Sequence, residues 1–283
     1  MLTDEQKKQA AMVDRAIEET LRTIRHRIIV FSGKGGVGKT TVSVALATGL
    51  RAHGYRTALL DADLTGPNVP KMLGLSGRME AAGERIMPQF ANDVAVVSLA
   101  SAVSEDQPVM WRGPMRSKML YQFLGGVEWG LRDYLIADLP PGTGDEVMTL
   151  AEKMKPDLAV IVTTPQEVSL LDSRRAINMA KKCGITRIGL VENMAGLVCP
   201  ECGHSIPLFG QGGGQRQAEE MKIEFLGRLP IDVETRRRAD EGQLADMKQG
   251  TFFENVDAIV TSVERMIEAS PGKGQPQSVG KQS

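Results

Sequence analysis

The sequence predicts an α/β fold, a mostly parallel sheet with helices on both faces. Short and almost continuously apolar segments alternate with helix-like segments, which is typical of strands buried between two helical layers. A glycine-rich loop also joins the first of these strands directly to a helix. The predicted strands are 27–32, 56–62, 94–99, 134–139, 158–164, 187–193 and 224–229. The predicted helices that follow them are 39–52, 115–129, 144–153, 167–182, 213–222, 232–241 and 252–268.

Length and composition indicate one large globular domain and argue against two classes of function. The chain has 283 residues, of which 42% are hydrophobic, and a formal net charge of −1. This charge gives no support for non-specific nucleic-acid binding, and no apolar run approaches the ~20 residues of a membrane span. The polar N-terminus lacks a signal-peptide apolar region, and the three cysteines, two of them in a C-x-x-C, do not resemble a secreted disulfide framework. We therefore expect a cytoplasmic protein that binds neither nucleic acid nor membrane.

The two ends of the chain differ from its central part. Over 4–25, apolar residues recur at helical spacing among charged ones: Val13, Ile17, Leu21 and Ile24. This pattern predicts a helix that packs on the main domain or on a partner subunit. Residues 270–283 are polar and rich in glycine and proline, as in a disordered tail. The predicted organisation is thus an N-terminal helix (1–25), one α/β domain (26–269) and the tail.

A phosphate-binding loop is the strongest functional signal. The residues that match G-x-x-x-x-G-K-S/T are Gly33, Lys34, Gly35, Gly36, Val37, Gly38, Lys39 and Thr40, followed by Thr41. Because a strand precedes the loop and a helix follows it, the glycines and the helix N-terminus can direct backbone N–H groups at phosphate oxygens. In this motif Lys39 reaches the β- and γ-phosphates, and the Thr40 hydroxyl ligates Mg²⁺. The sequence therefore predicts a nucleotide site here.

A second lysine, Lys34, lies one residue into the loop, where a P-loop that acts within one chain needs only Lys39. This G-K-G-G-x-G-K-T pattern resembles the deviant Walker A loops of the MinD, ParA and nitrogenase-iron-protein class of P-loop NTPases. In that class the extra lysine reaches the nucleotide of a partner subunit, so the resemblance implies the same role for Lys34. The alternative is a solvated loop lysine.

Acidic residues end two further predicted strands, and ligands of parallel sheets bind at the carboxyl ends of strands. One of Asp61 and Asp63 can orient the water that attacks the γ-phosphate, or help to hold Mg²⁺. In the deviant Walker class the second of these aspartates activates the water, which points to Asp63. Asp138 ends an apolar strand in a Walker B pattern and would hold Mg²⁺ through a water. The alternative for all three is to cap the turn or helix that follows.

Asn193 ends another predicted strand, and its amide offers the paired donor and acceptor that suit a nucleobase edge. This signal is weak when taken alone. The order of motifs strengthens it, because Asn193 follows the P-loop, the two aspartates and the Walker B strand along the chain.

A C-x-x-C turn, Cys199 and Cys202, comes shortly after this strand. Such a turn can present two thiolates to one metal, but a Cys₄ site needs four, so the other ligands would come from a second subunit or be labile. A redox-active dithiol and an inert loop are the alternatives. A thioredoxin-like dithiol should open a helix, and no helical pattern begins here. His204 is more simply a solvated histidine than a further ligand.

Together these motifs resemble the Mrp/ApbC family of iron–sulfur cluster carrier ATPases over residues 25–268. The segments that carry the resemblance are 33–41, 61–68, 138–145, 192–194, 199–202 and 209–214. The resemblance implies a homodimer in which two C-x-x-C pairs bridge one [4Fe–4S] cluster. It also implies binding of ATP with Mg²⁺, and slow ATP hydrolysis that serves cluster loading or transfer to recipient apoproteins.

The main alternative is a positioning ATPase of the MinD/ParA type, which binds membrane or DNA rather than metal. A MinD-like protein should end in a basic amphipathic helix, and the predicted tail has no such pattern. A ParA-like protein should have a basic surface, and 236–238 is the one notable basic run. A nitrogenase-iron-protein-like electron donor is disfavoured, since its cluster ligands are separated single cysteines. No role for the segment 111–114 follows from the sequence.

Overall fold

The computed structural model of the chain describes residues 3–63, 66–83, 85–98, 101, 113–199, 201–202 and 204–269. The predicted tail (270–283) and the first half of the segment 111–114 lie outside the described residues. None of the helices in the described ranges combines the length and the hydropathy that a membrane span needs.

Strands and helices alternate through the chain as predicted. The strands are β1 Ile24–Phe31, β2 Thr57–Asp61, β3 Ala81–Ala82, β4 Arg85–Ile86, β5 Gln89–Ala91, β6 Val94–Ser98, β7 Arg132–Asp138, β8 Leu158–Thr163, β9 Ile188–Val198, β10 Ser205–Ile206 and β11 Glu224–Ile231. The helices are α1 Asp4–Leu21, α2 Lys39–Ala52, α3 Val69–Met72, α4 Gly113–Gly125, α5 Asp145–Met154, α6 Glu167–Lys182, α7 Gly213–Met221, α8 Val233–Asp240 and α9 Thr251–Glu268. A short 3-10 helix, Leu244–Asp246, precedes α9.

A nine-stranded sheet forms the centre of the described structure, in the order β10-β9-β8-β1-β7-β2-β6-β5, with β11 beside β9. β5 and β10 run antiparallel to their neighbours, whereas the other pairs in this sheet are parallel, which confirms the predicted fold class. β1 lies beside β7, and β2 lies on the other side of β7. Because Val30 and Asp61 both pair with Asp138, the carboxyl ends of these three strands meet at one edge.

Helices cover both faces of the sheet. Along β1 the residues alternate between two apolar clusters: Ile28 and Val30 belong to one, and Ile29 and Phe31 to the other. The first cluster includes residues of α2, α3, α8 and α9, and the second includes residues of α1, α4, α5, α6 and α7. Complete burial of a side chain of this size stabilises the fold by ~1.5–3 kcal/mol, so the central strands give the loops at their ends a rigid support.

The N-terminal helix is shorter than the helix predicted over 4–25. α1 ends at Leu21, and Ile24 is already the first residue of β1. The pattern was misleading because Ile24 follows Leu21 by three residues, an interval that suits a helix face as well as a new strand. α1 packs on its own chain, where the Thr20 hydroxyl donates a hydrogen bond to the Gly125 carbonyl (2.8 Å).

Several short elements are absent from the sequence prediction. β3, β4, β5 and α3 lie between the predicted strands 56–62 and 94–99, where no strand or helix is predicted, and β10 is also missed. Strands of two or three residues contain too few apolar positions to form a recognisable pattern. β9 also continues past its predicted end at 193 to Val198, so that this strand leads directly to Cys199.

Candidate functional site

The P-loop lies between β1 and α2, at the carboxyl edge of the sheet. Gly36 and Gly38 both have φ of +79°, in the left-handed region that glycine adopts without strain. A Cβ on Gly33 would lie 2.1 Å from the carbonyl oxygen of Asp172. A Cβ on Gly38 would lie 2.2 Å from Asn193 Nδ2. Glycine is therefore required at Gly33 by a close neighbour, and at Gly38 by a close neighbour and by the positive φ.

The other loop residues differ in exposure. Val37 is buried in the cluster on the α2 side, whereas Gly35 is exposed and Lys34 and Thr41 are half-buried. The Ser32 hydroxyl donates a hydrogen bond to the Lys34 carbonyl (2.7 Å). This bond fixes the backbone of the loop at Lys34, the second lysine.

Lys39, Asp63 and Asp138 meet at this edge of the sheet. Lys39 Nζ lies 2.8 Å from Asp138 Oδ1 and 3.8 Å from Asp63 Oδ2. The side chains of Lys39 and Asp138 are 7% and 0% exposed, so the ion pair between them is desolvated. A buried charge needs a partner of opposite sign, and removal of either partner is strongly destabilising. The three residues form a charged centre of the kind that a nucleotide phosphate site requires.

Two hydroxyl groups complete the surroundings of Asp138. Thr40 Oγ1 donates to Asp138 Oδ2 (2.8 Å), and Ser43 Oγ donates to Asp138 Oδ1 (2.7 Å). A carboxylate beside a threonine hydroxyl is a set of hard oxygen donors, which fits Mg²⁺. None of the sequence motifs points to Ser43. Its signal is a hydroxyl group in an apolar helix, one turn after Lys39, which places both side chains on the same helix face.

Asp61 and Asp63 have different surroundings. The Asp61 carboxylate is fully buried and accepts hydrogen bonds from the Ser98 hydroxyl (2.9 Å) and from the backbone N–H groups of Asp63 (3.3 Å) and Val69 (3.4 Å). Burial, followed by the negative charge of Asp138, raises the pKa of Asp61 to about 8. Asp61 thus shapes the turn that carries Asp63, as in the turn-capping alternative.

Asn193 lies directly beneath the P-loop. Its Nδ2 donates a hydrogen bond to the Val37 carbonyl (2.9 Å), and the residue is 5% exposed. The sequence predicts a nucleobase edge as the partner of Asn193, whereas the contact in the structure is with the loop itself. Base recognition by Asn193 stays a prediction, and support of the P-loop is an additional role that the sequence pattern does not indicate.

The cysteine pair lies on the hairpin between β9 and β10, also beyond the carboxyl end of a strand. The Cys199 N–H donates to the His204 carbonyl (2.9 Å), which closes the hairpin. Cys199 is half-buried and Cys202 is exposed. Hydrogen bonds from the backbone N–H groups of Cys202 and Glu201, with a smaller effect of the Cys202 thiol, lower the pKa of Cys199. A lowered pKa favours the thiolate, which is the form that binds metal ions.

One chain brings two thiols to this hairpin. Within the described residues, no group of three or more His, Cys, Asp or Glu side chains is arranged to hold a metal ion. Two thiolates on a tight turn therefore fit half of a Cys₄ site. Cys183 lies apart from them at the end of α6, where burial raises the pKa of its thiol. It has the character of a packed side chain.

Comparison with known proteins gives close relatives over most of the chain. A family model described as ParA, the NUBPL iron-transfer P-loop NTPase, matches residues 23–264. The chain is 44% identical over 275 residues to an iron-sulfur cluster carrier protein of Methanocaldococcus jannaschii, which covers 94% of this chain and 92% of the relative. It is 40% identical over 253 residues to the cytosolic Fe-S cluster assembly factor NUBP2 of Bos taurus, over 86% of this chain and 93% of the relative.

Solved structures with the same fold include nucleotide-bound proteins. A nucleotide-binding protein from Archaeoglobus fulgidus, solved in complex with ADP and with cobalt found in it, superposes with a TM-score of 0.75. The two chains are 38% identical, over 85% of this chain and 95% of that one. The cell division ATPase MinD of Pyrococcus furiosus has a TM-score of 0.63 at 22% identity, over 85% of this chain and 99% of that one. At that identity the likeness to MinD concerns the fold alone.

Proposed function

The chain belongs to the family of NUBPL-type iron-transfer P-loop NTPases, and from this premise we propose that it is an ATPase that carries an iron–sulfur cluster to recipient apoproteins. The observation that carries the proposal is that a complete P-loop site and a cysteine pair, half-buried at Cys199 and exposed at Cys202, lie at one edge of one sheet. The relatives named as cluster carriers support this function over that of a MinD/ParA-type positioning ATPase, because the likeness to MinD is one of fold.

In the proposed ATPase each residue of the charged centre has one task. Lys39 binds the β- and γ-phosphate oxygens, and Thr40 and Asp138 hold the Mg²⁺ that accompanies ATP, Asp138 through a water. When bound there, Mg²⁺ would neutralise charge that develops on the phosphate oxygens. Asp63 accepts a hydrogen bond from the attacking water and directs its oxygen at the γ-phosphorus. The water oxygen bonds to the γ-phosphorus as the bond to the β–γ bridging oxygen breaks, a proton of the water passes by way of Asp63 to solvent, and ADP and phosphate leave.

Removal of Asp63 separates hydrolysis from binding. Asp63→Ala should retain ATP affinity and lose ~10²–10⁴-fold in turnover, the effect typical of a positioned acid or base. Lys39→Ala should instead lose affinity, because a charged partner of the desolvated phosphates is removed. Asp14→Ala is the control, since Asp14 is a half-exposed carboxylate on α1, paired with Lys153. Phosphate release and calorimetry measure the two quantities, and a wild-type rate in Asp63→Ala contradicts the assignment.

The protein acts as a homodimer in this proposal, with Lys34 of each chain reaching the nucleotide of the other. The support is a lysine that a one-chain P-loop does not need, in a class where it acts across the dimer. Mixing Asp63→Ala chains with Lys34→Ala chains creates dimers in which one site has an intact Asp63 and receives Lys34 from its neighbour. Partial ATPase activity should reappear in the mixture. Absence of recovery in confirmed mixed dimers argues against the trans role.

The cargo in this proposal is a [4Fe–4S] cluster held by Cys199 and Cys202 of two chains. Two thiolates per chain make up the required four when a two-fold axis passes near the hairpin. Zinc accepts the same four cysteines, so the metal found in a purified sample does not distinguish the two. Release does, because a carrier passes its cluster to an apo acceptor and a structural zinc site keeps its metal. The cysteines stay reduced in the cytoplasm, where we propose that the protein works.

A further inference from the structure

β9 connects the nucleotide site with the cysteine pair. Asn193 supports the P-loop from this strand, and the same strand continues to Val198, directly before Cys199. Adjacent residues of a strand point to opposite faces of a sheet. Glu192 and Asn193 accordingly contact different structures: Asn193 bonds to the P-loop, and Glu192 bonds to the start of α7.

The Glu192 carboxylate is completely buried and has three hydrogen-bond donors. The N–H groups of Gly212 (3.2 Å) and Gly214 (2.5 Å) donate to it, as does Arg228 Nε (3.2 Å). Gly212 and Gly214 lie at the N-terminus of α7, where the helix dipole favours a negative charge. Loss of any of these donors leaves a buried charge short of a partner, so the carboxylate holds this segment firmly.

These bonds anchor the returning leg of the cysteine hairpin. After Cys202 the chain first pairs with the end of β9 through β10 and then reaches Gly212. The outgoing leg of the hairpin is β9 itself. The returning leg is therefore attached to the same strand, through β10 and at Glu192. Glu192 is the residue next to Asn193, which supports the P-loop.

The part of β9 between the two sites is irregular. Met194 has φ of +56° and Gly196 has φ of +100°. A residue other than glycine in this region carries backbone strain. The pairing with β11 is also shifted, because β9 advances from Asn193 to Leu197 while β11 advances by only two residues. Bulges of this kind re-aim the chain beside functional sites. Strained segments of this type occur at ligand clamps and switches.

We propose that Glu192 is a positioning residue that holds the cysteine hairpin in register with the P-loop, so that nucleotide bound at the P-loop changes the affinity of the cysteine pair for its metal cargo. A shift of the P-loop acts on Asn193, and Glu192 transmits the shift to the returning leg of the hairpin. The inference rests on the proposed function, because it takes the P-loop as the nucleotide site and the cysteines as metal ligands.

The test measures the factor by which bound nucleotide changes the affinity of the cysteine pair for cobalt. Co²⁺ is the probe, because its thiolate complexes absorb visible light, and ADP with Mg²⁺ is the nucleotide. In the reduced wild-type protein, saturating nucleotide should change the Co²⁺ dissociation constant ~5-fold or more, as is typical of coupled sites. Cobalt must change the nucleotide affinity by the same factor, which provides an internal check.

In Glu192→Gln the ratio of the cobalt dissociation constants measured with and without nucleotide should fall to about 1. Cobalt alone and nucleotide alone should still bind. Glutamine keeps the shape and one acceptor oxygen of Glu192, but its NH₂ group must face either the donor on Gly214 or the donors on Gly212 and Arg228. Glu220→Gln is the matched control: the same substitution on α7, at an exposed carboxylate 2.7 Å from Arg174. It should keep the wild-type ratio. A ratio of about 1 in the wild type, or a wild-type ratio in Glu192→Gln, overturns the inference.

Arg228→Gln covers the case in which Glu192→Gln does not fold. The Arg228 side chain is 41% exposed, so this change removes one donor from Glu192 without emptying the core. Its ratio should lie between that of the wild type and 1, and an unchanged ratio overturns the inference. Failure of the proposed function has a different signature, since the wild type then forms no cluster on reconstitution whatever the cobalt ratios are.

Discussion

Gly38→Ala tests whether Asn193 supports the P-loop. The added Cβ would lie 2.2 Å from Asn193 Nδ2, so the amide has to move and its hydrogen bond to the Val37 carbonyl (2.9 Å) breaks. Gly36 provides a matched control in the same loop. It has the same φ of +79°, but a Cβ at this position meets nothing within 4 Å. The two alanines therefore differ in the contact with Asn193 and share the backbone strain.

The magnitudes follow from these two contributions. Alanine in the left-handed region costs about 1–2 kcal/mol at either position. Gly38→Ala also leaves a buried carbonyl without its donor, which costs about 1–3 kcal/mol more. We expect Gly36→Ala to lower the free energy of unfolding by ~1–2 kcal/mol and Gly38→Ala by ~2–5 kcal/mol.

Urea unfolding of the protein without nucleotide, followed by circular dichroism, measures both losses. Asn193→Ala supplies a second arm, because in that background there is no amide for the new Cβ to displace. The extra loss caused by Gly38→Ala over Gly36→Ala should then disappear. Equal losses from the two alanines in the wild-type background refute the reasoning, and so does an extra loss that persists without the Asn193 amide.

Two further predictions concern stability. Ser43→Ala should lower the free energy of unfolding by about 1.5–3 kcal/mol, because it removes a hydrogen bond to the buried Asp138 carboxylate. Urea unfolding measures the loss in the free energy of unfolding. A loss below ~0.5 kcal/mol, as at an ordinary surface site, contradicts the prediction. Hydrogen bonds to Asp257 and then Glu264 raise the pKa of His53 above 6.5. The stabilisation of the folded state by protonated His53 is therefore complete below pH 6.5. It is lost as the pH rises through the raised pKa of His53. Wild type and His53→Gln should converge in unfolding free energy at alkaline pH, and a gap independent of pH contradicts this.

The fold and the centre of the nucleotide site are predictable because their signals are local. The P-loop motif and the strand before it lie in one stretch of sequence, and a parallel sheet brings the ends of its strands to one edge. The meeting of Lys39, Asp63 and Asp138 follows from that geometry. The bounds of α2 and α6 also agree with the prediction, since both helices have clear patterns over several turns.

The features that the sequence does not reveal depend on partners far away along the chain. Asn193 supports Val37 from 156 residues away, and the Ser43 hydroxyl bonds to a carboxylate 95 residues later. A polar residue in an apolar segment indicates that a partner exists but does not say which one. The same holds for Glu192, which looks like an ordinary strand residue in the sequence and proves to anchor the start of α7.

Anaerobic reconstitution with iron and sulfide tests whether two cysteine pairs share one transferable cluster. We expect a dimer with about four irons, the content of one [4Fe–4S] cluster, which passes to an apo acceptor. Cys199→Ala or Cys202→Ala should abolish loading, whereas Cys183→Ala, at the residue directly after α6 and away from the hairpin, should leave it intact. A complete cluster on a monomer, or normal loading of the Cys199→Ala/Cys202→Ala double variant, would contradict the account.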